Sequence, residues 1–102
     1  MKRRGFLAGA LVLAATAARG HSFYDPLCCN GQDCAPVPDG AVRATRAGWA
    51  VTLRPGDHPE ITKPLSAVVP FAEARPAEDG RFHVCIWPRD TLRCLYVPPG
   101  GV

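Results

Sequence analysis

The chain has 102 residues and a formal net charge of +3, but the first 20 residues hold four of the twelve Lys and Arg and none of the nine Asp and Glu. Residues 21–102 therefore carry a net charge of −1 with the histidines neutral. Their 82 residues suffice for one small domain, which excludes a two-domain enzyme and a dinucleotide-binding fold. Their arginines are scattered singly among prolines and acids, which argues against a nucleic-acid-binding surface.

The first 20 residues have the pattern of an export signal. Residues 1–4 are cationic, and residues 6–18 form an apolar stretch of small and aliphatic side chains. A membrane-spanning helix needs about 20 apolar residues, so this stretch is too short to be one. We predict a cleaved signal peptide over 1–20, a single secreted domain over 21–102, and no membrane span in the mature chain.

The cleavage site and the export route each leave an alternative open. Small residues in Ala18-Arg19-Gly20 predict cleavage before His21, and Ala15-Thr16-Ala17 is the competing site. Arg3-Arg4 followed by Phe-Leu resembles a twin-arginine signal, whereas an ordinary secretory signal with adjacent arginines is the alternative. Either route predicts a periplasmic or secreted protein, and disulfides are the usual state of cysteines in such oxidising compartments.

The predicted elements of the mature chain are short. Residues 21–39 contain three cysteines, three prolines and Asn30-Gly31, which predicts an irregular, crosslinked loop. Residues 41–45 and 49–53 predict a β-hairpin, because Trp49, Val51 and Leu53 alternate on one side. Proline-bounded residues 65–71 predict a further short strand. Between these elements we expect at most an edge strand near Ile61 and one helical turn near Glu73.

The clearest predicted element is a second hairpin of residues 81–87 and 91–97, both rich in β-forming residues. Folding it about Arg89-Asp90 places Cys85 opposite Cys94 and His83 opposite Tyr96, and by the same register Ile86 opposite Arg93 and Trp87 opposite Leu92. Both faces of this hairpin are apolar, so it belongs in the middle of a fold. We predict a mainly β domain, a small disulfide-stabilised sandwich or open barrel with an irregular cysteine-rich N-terminal loop.

Five cysteines, an odd number, predict two disulfides and one remaining thiol. Their spacing matches no paired zinc motif and no Cys-x-x-Cys redox motif. We predict a Cys85–Cys94 disulfide, because direct opposition needs no backbone movement, although loop entropy favours a longer link by about 1.5 kcal/mol. Cys34 and Cys29 are then the other disulfide cysteines. This leaves Cys28 as the predicted free thiol, which could join two chains into a dimer.

The histidines suggest a copper site. If His21 begins the mature chain, its α-amine and ring Nδ1 can chelate one Cu(II) ion, with His58 or His83 as a further ligand. The alternatives are that His83 stacks on Tyr96 and that His58 occupies an exposed turn. Hydrolase, phosphate-loop and zinc-protease motifs are missing, so we predict no enzymatic activity.

Several segments carry a resemblance. They are His21-Ser22-Phe23-Tyr24-Asp25-Pro26, Cys28-Cys29, residues 33–37, residues 79–85, and Arg93-Cys94 running into Pro98-Pro99. Together they resemble a group of small, exported, uncharacterised bacterial proteins. The resemblance implies a secreted unit and implies no activity or substrate.

We therefore expect a non-catalytic binding or structural module of the cell envelope, whose partner is a protein or an envelope component. Phe23 and Tyr24 are candidate partner contacts, and the alternative is that they pack over the hairpin face. The competing hypotheses are the copper protein and a thiol redox protein that acts through Cys28 or Cys29. No nearby Lys or Arg favours a reactive thiolate at either position.

Overall fold

The computed structural model describes residues 23–101, so the predicted signal peptide and His21 lie outside the described residues. Seven strands occur in this range. They are β1 (Cys34–Pro36), β2 (Val42–Thr45), β3 (Gly48–Leu53), β4 (Leu65–Val69), β5 (Arg75–Pro76), β6 (His83–Ile86) and β7 (Leu92–Val97). Single 3-10 turns span Asp39–Ala41, Phe71–Glu73 and Pro99–Gly101. Residues 23–101 include no helix with the length and apolar character that crossing a membrane requires.

The strands form two sheets. One has four strands in the order β1-β6-β7-β5, and the other has three in the order β2-β3-β4. Neighbouring strands are antiparallel, except that β5 runs parallel to β7. Two disulfides crosslink the described residues. The predicted fold class, a small disulfide-stabilised β domain, is confirmed.

The main hydrophobic core lies between the two sheets. The three-stranded sheet contributes the alternating residues Val51 and Leu53, which are at most 1% exposed. The four-stranded sheet contributes Val84, Ile86 and Leu95, also at most 1% exposed. Burial of a side chain of this size contributes about 1.5–3 kcal/mol, so this interface is the main source of cohesion between the sheets.

A second cluster covers the opposite face of the four-stranded sheet. Cys28, Ala77, Cys85 and Tyr96 are buried there, and Phe23 packs against them. Strand β6 is therefore covered on both faces, and all four of its residues are buried. The two apolar faces of residues 81–87 predicted this central position.

The register of the second hairpin agrees with the prediction in its middle and departs at one end. Cys85 lies opposite Cys94, but Ile86 lies opposite Leu92. The predicted Ile86–Arg93 and Trp87–Leu92 pairs are wrong, because Arg93 is an extra residue on β7 at a β-bulge.

Two further predictions in the loops need correction. The 21–39 segment is not wholly irregular, because β1 pairs with β6. Ile61 lies outside the strands, and it is buried at 5% exposure. Its backbone N–H donates to the carbonyl of His58. Strand β1 forms because β6, which is distant in the chain, pairs with it. Ile61 is buried because residues distant in the chain surround it. A local sequence pattern shows neither.

Candidate functional site

A groove lies between two strand edges of the fold. Strand β4 is the edge of its sheet, and residues Leu92–Leu95 of β7 have no strand partner on the side away from β6, since β5 reaches only Tyr96 and Val97. The groove between β4 and this part of β7 has a volume of about 870 Å³. Unpaired strand edges offer backbone N–H and C=O groups to an incoming chain.

Both ends of the groove are defined by the chain itself. At one end, the carboxylate of Asp90 accepts hydrogen bonds of 2.7 Å from the backbone N–H and the hydroxyl of Thr62. At the other end, the chain leaves β4, passes through the Phe71–Glu73 turn and joins the four-stranded sheet as β5. The two edges are thus tied to each other beyond each end of the open stretch.

The inner side of the groove is apolar. Leu65 and Leu92 line it and pack against the main core. Ala67, half-buried, lies between Leu65 and the buried Val69 along β4. Val68 alternates with them and is 55% exposed. The groove therefore combines apolar side chains on its inner side with charged side chains and open backbone edges on the rest of its lining.

The disulfides differ from the predicted pairing. Cys28 bonds to Cys94, and Cys34 bonds to Cys85. The predicted Cys85–Cys94 disulfide is wrong, although the two residues do lie opposite each other. Cys85 on β6 has a cysteine opposite it on each neighbouring strand, and it bonds to Cys34 on β1.

The unpaired cysteine is also different from the predicted one. Cys29 is the free thiol, and Cys28, predicted to be free, is fully buried in a disulfide. Backbone bonds from Cys28 and Cys29 to the carbonyl of Asp25 form a turn that aims Cys28 at the sheet. The Cys29 side chain, half-buried, lies beside a separate cavity of about 500 Å³. An intermolecular disulfide, predicted through Cys28, would have to form through Cys29.

A chain of three polar side chains ties the N-terminal loop to β6. His83 is 2% exposed, and its Nε2 lies 2.8 Å from the carboxylate of Asp79. In the neutral ring this nitrogen donates to the carboxylate, so Nδ1 accepts from the Tyr24 hydroxyl 2.7 Å away. Burial raises the pKa of Tyr24 to about 12, and repulsion from nearby acidic groups adds to the shift. The phenol stays protonated at neutral pH, so this arrangement orders the loop and offers no tyrosinate for chemistry.

Phe23 and Tyr24, the predicted partner contacts, pack over the hairpin face. The Phe23 ring meets the rings of His83 and Tyr96 edge-on at centroid distances of 5.1 and 5.6 Å. Tyr24 packs at 5.4 Å from His83. This is the packing alternative of the sequence analysis, and both rings contribute to the second cluster.

The proposed copper ligands fall in different places. His21 lies outside the described residues. His58 is not on an exposed turn, since it is 2% exposed; its Nε2 donates to the carbonyl of Val84, and its Nδ1 accepts from the N–H of Glu60. Burial lowers the pKa of His58, so the neutral form is favoured. Both nitrogens of His58 and of His83 are thus already hydrogen-bonded. Residues 23–101 contain no group of three or more His, Cys, Asp or Glu positioned to hold a metal ion.

Comparisons of the chain with protein-family models, with curated proteins and with solved structures find no match. The proposed function therefore rests on the geometry of the described residues. Sequence reasoning missed the groove, because an open edge is defined by strands that fail to pair. The signals that existed were the brevity of residues 65–71 between two prolines and the separation of the two hairpins along the chain.

Proposed function

We propose that the mature chain is an exported, non-catalytic binding module that holds an extended segment of a partner polypeptide in the groove between β4 and β7. One observation carries the proposal: two unpaired strand edges face a single groove that the chain bounds at both ends and that has apolar side chains on its inner side. Backbone edges recognise another backbone in extended conformation, which is the basis of β-strand addition.

The two disulfides support the extracytoplasmic part of the proposal. Each crosslinks cysteines more than 50 residues apart, with sequence separations of 66 and 51. Loop-entropy estimates give about 4 kcal/mol of stabilisation for loops of this size. A domain this small depends on such crosslinks, and they persist in oxidising compartments. N-terminal sequencing of the exported protein, expected to begin at His21, tests export directly.

The binding test uses a random library of linear, cysteine-free peptides displayed on phage. We expect the oxidised domain to enrich a family of peptides, and calorimetry with the best synthetic member to show saturable binding. Ala67→Arg places a long side chain inside the groove and should remove the binding. The matched control is Thr52→Arg, which adds the same charge at an exposed position on the adjacent strand β3 and should leave the affinity unchanged.

A second blocking variant keeps the test independent of folding. Ala67→Leu fills the same part of the groove with an apolar side chain, so it should fold even if Ala67→Arg does not. The proposal is overturned if no peptide is enriched, or if the selected peptide binds both blocked variants as well as the wild type. A dimer that forms at rising concentration and is lost in both blocked variants would mean that a second copy occupies the groove, which also contradicts a partner polypeptide.

A further inference from the structure

The two edges of the groove run in the same direction. The bond between Thr62 and Asp90 brings the start of β4 near the start of β7. The other ends also coincide, because Val69 is paired with Trp49, and Trp49 lines a cavity together with Val97 at the end of β7. Strands β4 and β7 therefore lie along the groove in the same sense.

This shared direction determines how one strand could pair with both edges. A strand inserted in the opposite sense is antiparallel to β4 and to β7 at once. It would join the two sheets in the order β1-β6-β7-insert-β4-β3-β2, in which every neighbouring pair is antiparallel. Antiparallel pairing is slightly more stable per residue than parallel pairing, so this orientation is favoured over the reverse.

We infer that the occupant of the groove is a single β-strand of a partner polypeptide, inserted antiparallel to both β4 and β7 so that it closes the gap between the two sheets. The inference rests on the proposed function and specifies its ligand. Strand β4 has five residues, so the inserted stretch is about five residues or about 17 Å long.

The groove also specifies the side-chain pattern of the inserted strand. Successive side chains of a strand point to opposite faces, so every second one enters the groove. These inward residues meet Leu65, Ala67 and Leu92, and should be apolar. The residues between them lie on the same side as the exposed Ser66 and Val68, and polar side chains are accommodated there. The expected ligand alternates apolar and polar residues.

An N-methyl scan of the selected library peptide tests the insertion. Along a strand, successive residues direct their backbone N–H and C=O to opposite edges, so a strand paired on both sides uses all of these groups. We expect N-methylation at either of two adjacent central residues to weaken binding about tenfold, since each removes a hydrogen bond and leaves a buried acceptor unpaired. The control is N-methylation of a residue at the peptide terminus, beyond the paired stretch.

The outcomes separate this inference from the proposed function. If only one of the two adjacent positions is sensitive, the peptide pairs with one edge, and the insertion is overturned while groove binding stands. Insensitivity at both positions means side-chain recognition and also overturns it. A library that yields no groove-dependent peptide overturns the proposed function itself, and this inference with it.

The direction of the inserted strand has its own readout. A nitroxide attached to the N-terminus of the peptide should broaden the amide resonances of Val69 and Leu95 more strongly than those of Leu65 and Leu92, because an antiparallel insert places its N-terminus where β4 and β7 end. Stronger broadening at Leu65 and Leu92 would show a parallel insert and contradict the antiparallel arrangement.

Discussion

Cys85 lies directly opposite Cys94 on the adjacent strand, yet neither bonds to the other. The reason is that three cysteines form one row across β1, β6 and β7, with Cys34 opposite Cys85 on the other side. The loop that covers this face supplies Cys28 as the partner of Cys94. Taken singly, each observed link closes a loop worth about 4 kcal/mol in chain entropy, against about 2.7 kcal/mol for a ten-residue hairpin loop.

The disulfide pairing can be checked by digestion without reduction, after the free thiol has been alkylated. Cleavage before each aspartate, including Asp25, Asp33, Asp39, Asp79 and Asp90, separates the cysteines into four peptides. We expect the peptide 25–32 to be linked to 90–102, and 33–38 to be linked to 79–89. A direct link between 79–89 and 90–102 would contradict the observed pairing.

The adjacent cysteines offer a matched pair of variants. Cys28→Ser should lower the free energy of unfolding by about 2–4 kcal/mol, because it removes a crosslink and leaves a buried polar group. Cys29→Ser should change it by less than about 0.5 kcal/mol, because that side chain is half-buried and unbonded to another cysteine. Denaturant unfolding of the two variants measures both values. Equal losses would mean that the roles of the two cysteines are not distinct.

Gly48 is a position where only glycine fits. Its φ is +140°, and a Cβ there would clash with the backbone carbonyl oxygen of Val69 on β4. We expect Gly48→Ala to destabilise the domain by about 2–4 kcal/mol in chemical denaturation, because both the backbone and the β3–β4 pairing must shift. Gly40→Ala is the control, since nothing lies within 4 Å of its Cβ position. A loss as large at Gly40 as at Gly48 would refute this explanation.

Asp79 should make the domain sensitive to acid. Burial alone would raise the pKa of this carboxyl, but hydrogen bonds from His83 and from the backbone N–H of Arg81 outweigh it and lower the pKa. A lowered carboxyl pKa contributes stability that is complete above the ordinary value and is lost as the pH falls through the lowered one. Urea midpoints at near-neutral and acidic pH should therefore fall further in the wild type than in Asp79→Asn. Parallel curves for the two proteins would contradict the assignment.

Tyr24 should make the stability of the domain fall at alkaline pH. Its pKa is raised to about 12, so its contribution to stability is complete below the ordinary tyrosine pKa and is lost as the pH rises towards 12. The difference in near-ultraviolet tyrosinate absorbance between the wild type and Tyr24→Phe should show a group that ionises only near pH 12. Ionisation of that group near pH 10 would mean that Tyr24 is not held in the buried contact with His83.

The local elements followed from the sequence because their signals are local. Alternation at Trp49, Val51 and Leu53 predicted β3, and the two apolar faces of the second hairpin predicted that β6 is buried on both sides. The centre of that hairpin register follows from symmetry about its turn. Its departure at Arg93 does not, because a bulge depends on how the strand must bend to pack.

The tertiary structure decided what depends on distant partners. Cys28 and Cys29 are chemically identical neighbours, and only the turn at Asp25 selects which one reaches Cys94. Likewise, the groove exists because β5 pairs with only the last two residues of β7, which leaves one strand edge open beside another. Composition and spacing specify which residues form strands and that crosslinks are needed. The packing of the two sheets determines which cysteines form disulfides and which strand edges stay unpaired, since both depend on contacts between residues far apart in the chain.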